Sequence, residues 1–304
     1  MTAPAVSLLG LGRMGAPIAG RLLAGLGTLT VWNRTQARSE ALRRAGAVVA
    51  DSPAAAAALV TITVLTDLAD VEDLLYGPGG LVHGWRSAHV ERPVLVVCGT
   101  VSPVGVAALS EALLEVGVQV VDAPLSGGVA GAEVGTLSVM VGGAADAVDR
   151  AWDVLALIGT TVRHLGPVGA GQVAKACNQV VVGATVAALS EALVLAGSAG
   201  IDRAQLLELL AGGLANSEVL RQKRDRWLHD DFDGGGSARN QLKDLRFVAE
   251  TAADRHLRLP LAGTLLEVFE QMVEDGDGDL DHAGVERSLL RHGAGRPRAS
   301  ESAC

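Results

Sequence analysis

The sequence predicts a doubly wound α/β domain over its first half and an all-helical domain over its second. Three observations carry that prediction. Short Val/Leu/Ile-rich runs alternate with helical stretches up to about residue 165. Those runs lack strict apolar–polar alternation, as strands covered by helices on both faces do. After Gly166-Pro167 no further strand is legible and only helical periodicity continues.

Ala5–Leu9 is predicted as the first strand, with a helix over Met14–Leu26 behind it. Leu29–Trp32 follows as a second strand, Gln36–Ala45 as a second helix and Ala47–Ala50 as a third strand. Val60–Leu65, Pro93–Val97, Val118–Val121, Leu137–Val141 and Val162–Leu165 complete the strand set. Ala54–Ala58 is helix-favouring composition without functional meaning. Beyond residue 167 a long helix is expected over Gly171–Gly197. Shorter ones are expected over Arg203–Leu210, Ser217–Leu228, Ala238–Asp254, Leu261–Glu274 and Ala283–Leu290. Gly234-Gly235-Gly236 and Asp275-Gly276-Asp277-Gly278 punctuate them. The domains are therefore expected at 1–167 and 168–291, with a polar Gly/Pro/Ser-rich tail at 292–304 that reads as disordered.

A chain of 304 residues can support two separate cores. Aromatic residues make up only 3%, which argues against a stacking surface for bases. A net charge of −9 argues against nucleic acid or an anionic membrane as a partner. Cys98, Cys177 and Cys304 have neither metal-ligand spacing nor an even disulfide framework, so no metal site and a reducing compartment are expected. Met1-Thr2-Ala3-Pro4 lacks the basic start of a secretion signal. The apolar stretch Val180–Ala199 is broken by Ser190 and Glu191. It reads as a helix buried on most sides within the protein and not as a membrane span. The expectation is a cytoplasmic protein.

Gly10-Leu11-Gly12-Arg13-Met14-Gly15 lies directly after the first strand and opens a helix. The first glycine turns the chain, the second lets the backbone approach a pyrophosphate, and the third lets helix and strand pack closely. The helix N-terminus then presents free N–H groups to the phosphates. A dinucleotide is expected here, with Gly10, Gly12, Arg13, Met14 and Gly15 among its contacts. At the end of the second strand an NAD site would carry Asp or Glu for the ribose 2′-hydroxyl. This chain has Trp32-Asn33-Arg34-Thr35. Arg34 suits a 2′-phosphate, with Asn33 and Thr35 adding neutral hydrogen bonds. NADP is expected, with NADPH preferred over NADH.

Of the 25 basic residues, only Lys175, Lys223 and Lys243 are lysines. Where arginine serves for charge, the remaining lysines mark places for chemistry arginine cannot do, because an ammonium can lose its proton and a guanidinium cannot. Lys223, in the charged run Arg221–Arg226, reads as incidental. Lys175 is different. Lys175, Asn178 and Gln179 fall at i, i+3 and i+4 of a helix and share one face. Lys175 is the candidate acid/base, and the two amides are candidate substrate contacts. Asp122-Ala123-Pro124-Leu125-Ser126-Gly127-Gly128 follows a strand. Its small residues Ser126, Gly127 and Gly128 expose backbone N–H groups of the kind that hold a carboxylate or phosphate.

Taken together, these segments resemble the β-hydroxyacid dehydrogenases, the family of 3-hydroxyisobutyrate dehydrogenase and tartronate semialdehyde reductase within the 6-phosphogluconate dehydrogenase-like superfamily. Four motifs occur in order, from Gly10 to Gly15, Asp122 to Gly128, Gly169-x-Gly171-x-x-x-Lys175 and Lys243-Asp244-Leu245. Gly99-Thr100-Val101-Ser102-Pro103 looks like the family's cofactor-facing strand end. The resemblance implies a Rossmann domain, a helical domain and an active site in the cleft between them. It implies hydride transfer between NADPH and a small carboxylate-bearing 3-oxo acid or semialdehyde, with Lys175 as general acid/base and Ser126–Gly128 on the carboxylate. Leu65 and Thr100 would contact the cofactor, Lys243 would lie near the nicotinamide, and the protein would be a homodimer or homotetramer.

Two departures and one loop bear on that picture. Gly99 stands where the family usually has serine, and Gln179 stands where many members have asparagine. The Gly234–Gly236 triplet predicts a mobile loop ahead of Lys243. Two alternatives stay beside the family reading. Imine reductases share the W-N-R-T strand end but generally lack the lysine. A catalytically silent NADP-binding module would tolerate loss of the lysine face, which is intact here.

Overall fold

In the computed structural model residues 5–293 are described. The chain divides into two compact units, the second beginning at Ala176. The expected tail lies outside the described residues except for 292 and 293, which continue the last helix. Residues 1–4, on which the expectation of no secretion signal rests, also lie outside them.

The first unit is built on nine strands: β1 (Val6–Leu9), β2 (Thr30–Trp32), β3 (Val48–Val49), β4 (Val60–Thr63), β5 (Val94–Val97), β6 (Gln119–Asp122), β7 (Leu125–Ser126), β8 (Leu137–Gly143) and β9 (Gly159–Gly166). They run in the order β3-β2-β1-β4-β5-β6-β8-β7, with β9 paired to β8. β1 to β6 are parallel. β8 is antiparallel to both β6 and β7, so the sheet is mixed where the strand patterns pointed to a parallel one. β7 continues β6 in the same direction and register against β8. Residues 127–136, which join β7 to β8 through a short helix, are fewer than the dozen or more that a parallel crossover needs. The burial pattern changes at the same place. β4 and β5 are buried at every residue, whereas β9 exposes most of its length.

Alternate residues of the parallel strands feed two cores on opposite faces of the sheet. Leu8, Val94, Val96 and Val121 pack into one, and Leu9, Leu95, Val97 and Val120 into the other. Each such side chain contributes about 1.5–3 kcal/mol on burial. Helices α1 (Gly15–Leu26), α2 (Glu40–Arg44), α3 (Leu68–Tyr76), α4 (Leu81–Ser87), α5 (Pro103–Leu114), α6 (Gly128–Val134) and α7 (Ala145–Ala156) cover the sheet. The Ala54–Ala58 run has a packing role. Ala54–Ala56 form a short 3₁₀ turn, and the carbonyl of Ala58 just beyond it accepts the Trp85 Nε1–H at 2.9 Å. α4 sits so close to it that a Cβ on Gly84 would lie 2.2 Å from the Ala54 carbonyl oxygen.

Helix α8 (Ala170–Ser198) begins in the first unit and continues through the second, which adds α9 (Arg203–Ala211), α10 (Glu218–His229), α11 (Ala238–Asp254), α12 (Pro260–Met272) and α13 (Val285–Gly293). Among the described residues no strand follows β9. Trp227, Phe232 and Phe269 anchor the helical core. α8 is less enclosed than its composition suggested, with Val181 at 65% and Leu195 at 71% exposure. These apolar side chains are left uncovered by the other described elements. It is long and apolar enough to cross a membrane. Its side chains Gln172, Lys175 and Gln179 are buried within the protein.

Two expectations for this unit change. Lys223 is no incidental surface charge, since its Nζ lies 2.5 Å from a carboxylate oxygen of fully buried Asp281. That same oxygen accepts the Gly236 N–H at 3.1 Å, and Gly236 accepts the His282 N–H at 2.8 Å. Arg226 donates to the carbonyls of Asp231 and Asp233. The glycine triplet is thus tied into the fold. The acidic run at 275–281 is likewise spent on internal pairs, with Ser288, His292 and Arg291 on Asp275, Arg291 on Asp277, and Arg239 on Asp279. The Ser288 hydroxyl, with His292 and Gln271, holds the Asp275 carboxyl down at about 2.

Candidate active site

The cofactor end of the first unit grows from the strand order. β1 lies between β2 and β4, so the chain leaves the sheet in opposite senses at neighbouring carboxyl ends and opens a crevice there. A cleft of about 760 Å³ occupies it, with Gly10 and Gly12 after β1, Asn33, Arg34 and Thr35 after β2, and Leu65 after β4 in its wall. The glycine turn fits the close approach of a dinucleotide. A Cβ on Gly10 would sit 2.6 Å from the Val64 carbonyl oxygen, and one on Gly15 would sit 1.8 Å from that of Gly10. At Gly12 an added Cβ would meet nothing within 4 Å, so the second glycine faces open space where a pyrophosphate would come against the backbone. Arg13 is exposed in this turn, and Met14 precedes the first helical residue of α1.

Asn33 is engaged within the protein. Its Oδ1 accepts the Leu11 N–H at 2.8 Å, and its Nδ2 donates to the Thr35 carbonyl at 2.9 Å. It thereby couples the glycine turn to the end of β2. Arg34 is exposed on the cleft wall and is joined there by Arg38, which the sequence reading passed over although it stands four residues on. Neither guanidinium forms an ion pair among the described residues. Asp70 and Asp73 of α3 line the cleft as well.

The reacting end of the first unit gathers Lys175 and the Ser126–Gly128 segment. Lys175 is 8% exposed, and its Nζ donates to the Leu125 carbonyl at 2.8 Å, one residue from Ser126. Gly127 and Gly128 have φ of 129° and 67°, two successive conformations that only glycine adopts without strain. Thr100 is half-buried behind β5. Gly99 cannot be exchanged for the family's serine on this backbone, because a Cβ would lie 1.9 Å from the Leu65 carbonyl oxygen. The ends of β4 and β5 leave no room for a side chain there.

Two residues of this region carried no role in the sequence reading. Asp122, fully buried at the end of β6, accepts the Gly169 N–H at 2.7 Å on one oxygen and the Gln172 N–H at 2.8 Å on the other. Burial pushes its carboxyl up from the ordinary range, and these backbone donors pull against that shift. Gln172 accepts the Val101 N–H at 3.1 Å and donates to the Gly99 carbonyl at 2.8 Å. Both lie inside the recognised motifs, but only the folded chain shows what they bind.

In the second unit Gln179 donates to Asp244 Oδ2 at 2.6 Å, and Lys243 pairs with the other oxygen of Asp244 at 3.0 Å. Gln241 donates to the Gln179 carbonyl at 3.2 Å. Asn178 Oδ1 is buried without a hydrogen-bond partner. Gln179 and Lys243 are thus brought onto one carboxylate, a link that residue spacing alone does not reveal. Among the described residues no group of His, Cys, Asp or Glu is placed to hold a metal.

A dinucleotide cleft at the switch point of an α/β sheet, followed by a helical domain, defines a nicotinamide-dependent oxidoreductase. Residues 5–166 match the NAD-binding domain of 6-phosphogluconate dehydrogenase, and residues 169–289 match the NAD-binding domain of NADP-dependent 3-hydroxyisobutyrate dehydrogenase. The chain is 31% identical to 2-(hydroxymethyl)glutarate dehydrogenase of Eubacterium barkeri, over 92% of its own length and 93% of the relative's. It is 32% identical to NAD-dependent L-serine dehydrogenase of Pseudomonas aeruginosa, over 93% and 96%. The solved structure of 3-hydroxyisobutyrate dehydrogenase from Salmonella typhimurium superimposes with a TM-score of 0.84 at 27% identity, covering 93% of this chain and 99% of that one. The chain belongs to the β-hydroxyacid dehydrogenase family and is a dehydrogenase acting on CH–OH groups.

Proposed function

We propose that the protein interconverts a small 3-hydroxy acid and its 3-oxo acid or semialdehyde with NADP, using Lys175 as general acid/base. The observation that carries this reading is the buried Lys175 Nζ, 2.8 Å from the Leu125 carbonyl and beside Ser126–Gly128. An ammonium there can pass a proton to or from an oxygen on a substrate whose carboxylate is held by the neighbouring segment. NADPH, when bound, supplies the hydride. Ser126 and the N–H groups of Gly127 and Gly128 orient the carboxylate, and Lys175 protonates the carbonyl oxygen as charge develops on it.

The names of several relatives support the substrate class. 2-(Hydroxymethyl)glutarate, L-serine and 3-hydroxyisobutyrate each carry a hydroxyl on the carbon β to a carboxylate. The pair Arg34 and Arg38 supports the choice of NADP, since a 2′-phosphate there would gain charge-assisted hydrogen bonds. Leu65 and Thr100 as further cofactor contacts and Lys243 beside the nicotinamide rest on the family resemblance, while Asn178 and Gln179 on the substrate rest on the helix face they share with Lys175. A homodimeric or homotetrameric assembly also rests on the resemblance, and a cytoplasmic location rests on the cysteine usage.

Ser126→Ala is the direct test of carboxylate anchoring. The variant is expected to raise the KM for a hydroxy acid about ten- to a hundred-fold while NADPH affinity stays close to wild type, consistent with the loss of about 1.5–3 kcal/mol from one hydrogen bond to a charged group. The methyl ester of the same acid should be a poor substrate for the wild type. Equal rates on acid and ester would show that no carboxylate is read at this segment.

A further inference from the structure

We propose that Asp122 and Gln172 are positioning residues that set where the Lys175 ammonium stands, by fastening the first turn of α8 to the carboxyl ends of two adjacent strands. The inference rests on the reading of Lys175 as the acid/base. It goes beyond that reading because neither residue needs to touch a substrate to matter.

β5 and β6 are neighbours, with Val97 opposite Asp122. Asp122 reaches from the end of β6 to the backbone N–H groups of Gly169 and Gln172, at 2.7 and 2.8 Å. These belong to the open N-terminus of a 29-residue helix, where a carboxylate is favoured both by unsatisfied donors and by the helix dipole. Gln172 fastens the same turn to the strand next door, accepting from Val101 N–H and donating to the Gly99 carbonyl. It is 1% exposed, so no water competes for these bonds. Lys175 follows one turn later.

The glycines of this region are explained by the same fastening. Gly169 has φ of +92°, which turns its N–H onto Asp122. A Cβ on Gly171 would stand 2.3 Å from the Met140 carbonyl oxygen and 2.8 Å from Asp122 Oδ2. From the other side, a Cβ on Gly142 would stand 2.4 Å from Asp122 Oδ1. Side chains are excluded wherever the helix start closes on the carboxylate. The Gly169-x-Gly171 spacing is therefore a seat for the helix, and Asp122 is what the helix sits on. Gln172 also grips the two residues that flank Thr100, so one turn of helix fixes the lysine relative to both Ser126–Gly128 and the end of β5.

A double-mutant cycle tests this. Asp122→Asn keeps the shape but points an N–H at one of the two backbone donors. In the otherwise wild-type enzyme it is expected to lower kcat about ten- to a hundred-fold, the scale of a misplaced catalytic group, with the KM for the acid and the Kd for NADPH nearly unchanged. In a Lys175→Ala background the same substitution should leave the residual rate almost unaltered, because there is no ammonium left to place. Gln172→Met, which removes both of that residue's hydrogen bonds at similar volume, should behave alike and carries the test if Asp122→Asn does not fold. The same fold-loss in both backgrounds would overturn the proposal, since a merely structural role is indifferent to Lys175. Wild-type turnover in Lys175→Ala itself would instead overturn the acid/base assignment beneath it.

Discussion

Lys175→Arg is expected to lower turnover by about 10²–10⁴-fold, the usual worth of general acid/base help, and to fall close to Lys175→Ala. The substitution keeps the positive charge but removes the group that can release a proton near neutral pH. Space adds to the loss. The ammonium is 8% exposed and already 2.8 Å from the Leu125 carbonyl, so a planar guanidinium cannot take the same place without moving the segment that leads into Ser126. NADPH binding should survive in both variants, because the cofactor cleft is walled by the ends of β1, β2 and β4. The measurement is steady-state turnover alongside a fluorescence titration with NADPH. Near-wild-type turnover in Lys175→Arg would reduce the lysine to a positional charge and move the proton donor elsewhere.

Arg34→Ala should weaken NADPH by about ten- to a hundred-fold, equivalent to roughly 1.5–3 kcal/mol for hydrogen bonds to a charged group, and leave NADH nearly as it was. Arg38 lines the same cleft. The double variant Arg34→Ala/Arg38→Ala should lose more than either single one, with the preference between the two cofactors narrowed or reversed. Binding titrations with both cofactors read this directly. If both weaken equally, or if the wild type already prefers NADH, the arginines do not serve a 2′-phosphate.

Much of the fold is legible from local signals, because its most regular parts rest on local physics. The glycine turn after β1 and the span of α11 at Ala238–Asp254 follow from turn chemistry and helical periodicity. β7 does not follow, because a two-residue strand has no pattern of its own and exists only through its pairing with β8. Nor does the antiparallel turn of the sheet at β8, which depends on the short return of the chain between Ser126 and Leu137. Lys175, Ser126 and Arg34 could be singled out because each residue type is unusual for its setting. The roles of Asp122, Gln172, Asp244 and Lys223 could not, since a carboxylate or an amide at the end of a strand or inside a helix, or a lysine in a charged run, looks ordinary until its partner is known. Those partners lie 47 to 73 residues away for Asp122 and Gln172, 65 for Asp244 and 58 for Lys223. The glycine triplet misled for the same reason. Its composition permits motion, but the hydrogen bonds of Asp281 and Arg226 that hold it come from flanking elements.

The central claim is hydride exchange between NADP and the hydroxyl-bearing carbon of a small 3-hydroxy acid. Its most direct test is the appearance of NADPH absorbance when the purified protein is mixed with NADP⁺ and, in turn, 3-hydroxyisobutyrate, glycerate, L-serine and 4-hydroxybutyrate, with a cyclic imine plus NADPH as the opposing arm. Saturable reduction of NADP⁺ by at least one of the 3-hydroxy acids, and little turnover of the imine, is the predicted result. Turnover of the imine with none of the hydroxy acids oxidised would contradict the account.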